Sequence, residues 1–107
     1  MNISAAFASG RLTLYLSGEL DHHAAAETMK VIDEVLERYM PRSCALDMSG
    51  VSFMDSSGIA VIINTGRKMR SLGGDISVEN PMGQARRVLD ASGIGRLVTM
   101  AESGGVR

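Results

Sequence analysis

Leu12, Leu14 and Leu16 alternate with Thr13, Tyr15 and Ser17, and shortly afterwards the apolar period changes. From Ala24 onward it runs Ala25, Met29, Ile32, Leu36 and Tyr39, in steps of three and four. A period of two describes a strand with one face buried, and steps of three and four describe one stripe of a helix. Gly18 breaks the first pattern, Asp21 can cap the second, and Pro41 stops it. The same switch recurs along the chain, and that recurrence restricts it to an α/β fold.

The remaining segments follow from this alternation. Ile3 to Phe7 is short and apolar, and Ser9-Gly10 offers a turn, so the first two strands read as a hairpin. Cys44 to Met48 reads as a buried strand in which Asp47 is the exception. A second helix should begin at Asp55-Ser56-Ser57, with Ile59, Ile62, Ile63, Gly66 and Met69 inward, and end at Gly73-Gly74. Ile76 to Val78 is a further strand. Asn80-Pro81 reads as a cap with Pro at the first helical position, and Met82, Ala85, Val88 and Leu89 as the stripe of a third helix ending at Gly93. Arg96 to Met100 is read as the last strand. The order is β-β-α-β-α-β-α-β. It implies one mixed sheet, an N-terminal hairpin followed by parallel strands, with the helices mostly on one face. Residues 1–100 make the domain, and 101–107 are expected to form a frayed, Gly-rich tail.

Composition narrows the function classes. A chain of 107 residues can bury roughly two-thirds of its surface, enough for one core. Eleven basic against twelve acidic residues leave a net charge of -1, which argues against a dedicated nucleic-acid binder. The longest strictly apolar run, Ile59 to Ile63, is far short of a membrane span, and the N-terminus lacks the pattern of a signal peptide. A single cysteine, Cys44, cannot form an internal disulfide, and the default location is the cytoplasm. Eight Met residues with no Trp suggest thioethers as core filler, with a Met-rich docking face as the less favoured reading.

Catalytic and ligand motifs are absent. There is no G-x-x-x-x-G-K-[ST] loop, no G-x-G-x-x-G after a strand and no G-x-S-x-G elbow. His22-His23 is the only His pair; adjacent residues at a helix start should point apart, and no third His or Cys is near, so a metal site is not expected. No cofactor is expected. Cys44 lies in a strand read as buried, where a thiol is inert packing. A receiver domain would need an acidic pair and a Lys that this chain does not place.

The unusual stretch is Ser52-Phe53-Met54-Asp55-Ser56-Ser57-Gly58. Asp and Ser are preferred helix caps, so a capping cluster accounts for much of it. Gly58, however, falls in the first helical turn, where it costs about 0.8–1 kcal/mol relative to Ala. Close approach of a ligand or another backbone would explain it. Phe53 and Met54 act there either as a hydrophobic staple or as a partner contact.

Two segments, Gly18-Glu19-Leu20-Asp21-His22-His23 and Leu46-Asp47-Met48-Ser49-Gly50-Val51 running on into Ser52–Gly58, resemble the STAS domain of anti-sigma factor antagonists. The first segment is most similar to the sporulation, anti-sigma F, branch of that family. The resemblance covers nearly the whole chain, with Asp-Ser-Ser-Gly as its most specific motif. Family members usually continue into a C-terminal helix, which Ser103-Gly104-Gly105 makes unexpected here.

The resemblance implies a partner switch and no enzyme activity of the chain's own. Ser56 would be phosphorylated by an anti-sigma factor that is itself a serine kinase, with ATP belonging to that partner. The unphosphorylated form would bind the anti-sigma factor and release the sigma factor. A PP2C-type serine phosphatase would restore binding. Asp21, His22, Asp55, Ser56, Ser57 and Gly58 would form the partner-binding site. Ser57 is expected to cap the helix, and Asp55 to shape the turn or orient the Ser56 hydroxyl. Asp21 either lines the docking face or caps the first helix, Asp47 supports the loop, and Gly58 permits close approach. A STAS subunit of a membrane transporter or lipid-transport complex is the alternative, and a small α/β enzyme using Asp55 and Ser56 a third reading.

Overall fold

The computed structural model describes residues 1–101. Five strands, β1 (Asn2–Ala8), β2 (Arg11–Leu20), β3 (Ser43–Met54), β4 (Asp75–Glu79) and β5 (Thr99–Ala101), lie side by side in chain order. β1 and β2 pair antiparallel across the Ser9-Gly10 turn, where both residues have positive φ. Every later pair is parallel, and helices α1 (His22–Tyr39), α2 (Ser56–Ser71) and α3 (Gly83–Ser92) make the crossovers.

The Leu12-Leu14-Leu16 row faces the helices together with Cys44, Leu46, Met48, Ile76 and Val78. Ala25, Ile32 and Leu36 of α1, Val61, Ile62 and Met69 of α2, and Ala85 and Leu89 of α3 complete the same core. All three helices therefore cover one sheet face, as the alternation in β2 requires. Met48, Met54 and Met69 are fully buried filler, whereas Met40 and Met82 are exposed. On the other face stand Tyr15, Asp47 and Glu79, the last ion-paired to Arg11.

β2 runs through Gly18, read above as its break, to Leu20, and three further boundaries differ from the sequence reading. β3 continues six residues beyond Met48, to Met54. Its pairing with β2 shifts register between Tyr15 and Ser17 and again between Gly18 and Glu19, each time adding a residue on the β3 side. These bulges turn strict alternation into the buried series Leu46, Met48, Val51, Met54, which hides the strand from a period-two reading.

The second difference is α3, which starts at Gly83 with Met82 as its N-cap and no side-chain cap bond. Asn80 sits at φ 58, and its amide donates to Asp47 Oδ2 at 2.8 Å, so it cannot cap the helix. Third, residues 94–96 form a turn of 3-10 helix, and the last strand begins only at Thr99. That strand takes in Ala101, assigned above to the tail. The rest of the tail, and with it the question of a C-terminal helix, lies outside the described residues. No helix among the described residues is long and apolar enough to cross a membrane.

Candidate functional site

Leu20 ends β2 and Met54 ends β3, and the two are register partners in parallel strands. Because these neighbours stop at the same level, the helices that follow them start side by side. Asp21 caps α1, its Oδ1 accepting from Ala24 N at 3.1 Å. Asp55 caps α2, its Oδ1 accepting from Ser57 N at 2.8 Å. The other Asp55 oxygen, Oδ2, accepts from His22 N at 3.2 Å, the first residue of α1. The Asp55 backbone N–H also donates to Leu20 O at 3.4 Å. One carboxylate thus serves the free N–H groups at the starts of two helices.

This bridge brings together Asp21, His22, Asp55, Ser56 and Ser57. Ser56 is the first residue of α2 and is exposed, and Ser57 is half-buried. The cap is Asp55, so Ser57, expected above to be the capping group, supplies a donor instead. Partial desolvation works to raise the Asp55 carboxyl. The hydrogen bonds from Ser57 and the His22 N–H outweigh it and hold the group below the usual carboxylate range. The His22 and His23 rings do not point apart as expected; they lie tilted against each other with centroids 4.0 Å apart.

Gly58 is buried. A Cβ there would lie 2.6 Å from Met54 Cγ and 2.8 Å from its Cε. The close approach that its missing side chain permits is made by Met54 from within the core, where the sequence reading expects a ligand or another backbone. Met54 is fully buried, whereas its neighbour Phe53 is 41% exposed. Of the two bulky residues before the cap, one packs inward and the other is presented to solvent.

Asp47 supports the site from the opposite sheet face. It accepts from Ser49 N at 3.0 Å, Ser49 Oγ at 2.7 Å and the Asn80 amide at 2.8 Å. Burial works to raise its carboxyl, and these bonds prevail and hold it low. The Ser49 contacts clasp the first bulge of β3, which sets the path of the strand toward Asp55.

Gln84, in the first turn of α3, has no counterpart in the sequence reading. Its carboxamide accepts from Met54 N at 2.9 Å and donates to Met54 O at 2.8 Å. It brings α3, and the exposed Met82 before it, to the end of β3. Thirty residues separate the two partners, and no local pattern announces such a contact.

The model of the STAS domain matches residues 2–104. The chain belongs to the STAS family. It is 32% identical over 94 residues to the anti-sigma F factor antagonist of Paenibacillus polymyxa, an alignment covering 88% of this chain and 80% of that one. Among solved structures it resembles the anti-sigma factor antagonist SpoIIAA in its unphosphorylated form. That match has a TM-score of 0.81 and 25% identity, covering 97% of this chain and 90% of that one. The phosphorylated form of the Bacillus cell fate determinant SpoIIAA matches with a TM-score of 0.72 and 25% identity, covering 97% and 93%.

Proposed function

We propose that this STAS protein is an anti-sigma factor antagonist switched by phosphorylation of Ser56. The unphosphorylated form binds an anti-sigma factor serine kinase, in the anti-sigma F manner, and releases the sigma factor. Phosphorylation ends the binding, and a PP2C-type phosphatase restores it. The chain is substrate and regulator, and the kinase contributes ATP. The observation that carries this reading is the exposed Ser56 at the shared start of two helices. Relatives named as antagonists, and a similar structure known in a phosphorylated form, support it.

The electrostatics suit a switch that acts between molecules. A phosphoserine adds about -1.5 to -2 charges and three strong acceptor oxygens. At a helix N-terminus an anion meets free donors and a favourable dipole, worth roughly 0.3–1 kcal/mol, so the domain keeps its fold. At a docking face the same charge stands beside Asp55 and Asp21 and must be desolvated against the partner, which costs several kcal/mol without a matching cation. A loss of about 4 kcal/mol weakens binding roughly a thousandfold. Phe53, just before the α2 cap, and Met82, at the start of α3, supply exposed apolar area, and His22 and Ser57 complete the face.

The test combines binding with site mapping. Ser56→Ala is expected to bind the cognate anti-sigma factor equally with and without ATP, and Ser56→Asp to bind poorly. Mass spectrometry of the kinase-treated protein should locate phosphate on Ser56 and not on Ser57. Equal ATP sensitivity of the wild type and Ser56→Ala refutes the assignment.

A further inference from the structure

β4 stops pairing with β3 at the Asp47–Glu79 step, but β3 runs on to Met54. Over that extension β3 keeps β2 on one side and has lost its strand partner on the other. At the last residue of β3 a side chain takes the place of the strand. The Gln84 carboxamide accepts from Met54 N at 2.9 Å and donates to Met54 O at 2.8 Å, the two bonds that a directly opposed residue of an antiparallel strand would exchange. Across the other side, Asp55 N donates to Leu20 O. The peptide units leading into α2 are therefore held from both sides, two residues before Ser56.

Two parallel hydrogen bonds to one residue fix rotation as well as translation, which a single bond does not. Asp55 caps the helix through its side chain, but that cap rides on the backbone that Gln84 holds. On the reading of Ser56 as the phosphate acceptor, on which this inference rests, the serine must offer its hydroxyl in line with a phosphoryl donor. Such in-line reactions are sensitive to small misplacements of the acceptor.

We propose that Gln84 is a positioning residue for Ser56: its carboxamide clamp on Met54 sets the direction in which the Asp55–Ser56 helix start presents the serine hydroxyl to the kinase. Gln84 does not touch the reacting atoms. It also ties the first turn of α3, with the exposed Met82 at its cap, to the same backbone, so a partner resting on α3 bears on the presentation of Ser56.

The test uses the full chain, the cognate anti-sigma factor kinase and ATP. Gln84→Leu keeps the side-chain bulk and removes both bonds. Gln84→Glu keeps the acceptor for Met54 N–H and loses the donor to Met54 C=O. Gln84→Leu is expected to lower kcat for Ser56 phosphorylation by about tenfold or more, with KM changed less than about twofold. Gln84→Glu, whose second carboxylate oxygen would face the Met54 carbonyl oxygen, should lower kcat as well. Amide exchange at Ser57 should accelerate in both variants, and at Met54 in Gln84→Leu, which removes its acceptor, while the amides of β2 and the middle of α1 keep their wild-type protection. A wild-type kcat in both variants overturns the role of Gln84, as does a loss confined to KM or a loss of protection spread evenly over the molecule. If Gln84→Leu does not fold, the Glu variant decides by the same criteria. Phosphate found on wild-type protein at a residue other than Ser56 overturns the acceptor reading, and this role with it. Phosphate on Ser56 with an unchanged rate in the variants overturns only the clamp.

Discussion

Gly58 lies under a contradiction between local preference and packing. Alanine would improve the helix by about 0.8–1 kcal/mol, yet its methyl would lie 2.6 Å from Met54 Cγ, so the buried Met54 side chain would have to shift. Overpacking a tight core costs about 1–3 kcal/mol, so packing prevails. Gly58→Ala is expected to lower the urea midpoint, and a Met54→Ala/Gly58→Ala double variant should be less destabilised than the sum of its singles. Additive losses would place the strain elsewhere. Cys44 offers a second check at this scale. Burial, against a smaller opposing pull from Arg11, pushes its thiol up to about 12. In the native protein it should resist thiol alkylation at neutral pH and react at once on unfolding.

Elements meet at Asp55, whose two oxygens hold the starts of α1 and α2. Removing a cap of this kind costs about 1 kcal/mol. Asp55→Ala should therefore destabilise the fold by about that amount and speed amide exchange at His22 as well as Ser57; acceleration at Ser57 alone would show that the bridge is idle. The sequence announces this arrangement in part. Asp21 and Asp55 are legible as caps because each precedes a helical stripe, and the α2 start falls where the stripe predicts it. Their convergence is not legible, since it depends on Leu20 and Met54 being neighbours across parallel strands. A period-two reading ends β3 at Met48 because each bulge adds a residue and replaces a step of two with one of three. Asn80-Pro81 carries every local mark of a helix start, but Asp47 claims the Asn80 amide and α3 begins at Gly83. Local chemistry is readable where its partner is close in the chain; Gln84 and Asn80 are spoken for by residues about thirty positions away.

Across the whole molecule, one sheet face is covered by helices and the other carries buried charge. Asp47 and Glu79, each 6% exposed, are register partners there, one held by Ser49 and Asn80, the other by Arg11. The Asp47 carboxyl is held below its usual value in the folded state. A depressed carboxyl contributes stability that is fully present above its unfolded pKa, about 4, and is lost as the pH falls through the folded value. The melting temperature should therefore drop steadily below about pH 4. Asp47→Asn should be less stable than wild type at pH 7, with a flatter acid limb. An acid limb as steep as that of wild type would assign the dependence to other carboxylates. The two extra residues of β3 carry a further consequence. Removing any single codon between Ser49 and Phe53 takes away one of them, so one bulge closes to one-to-one pairing with β2 while Met54 stays opposite Leu20 and the serine hydroxyl keeps its present bearing. In a scan of one-codon deletions this short window should therefore be more tolerant than the unbulged stretch 44–47, where the strand has no spare residue to give up.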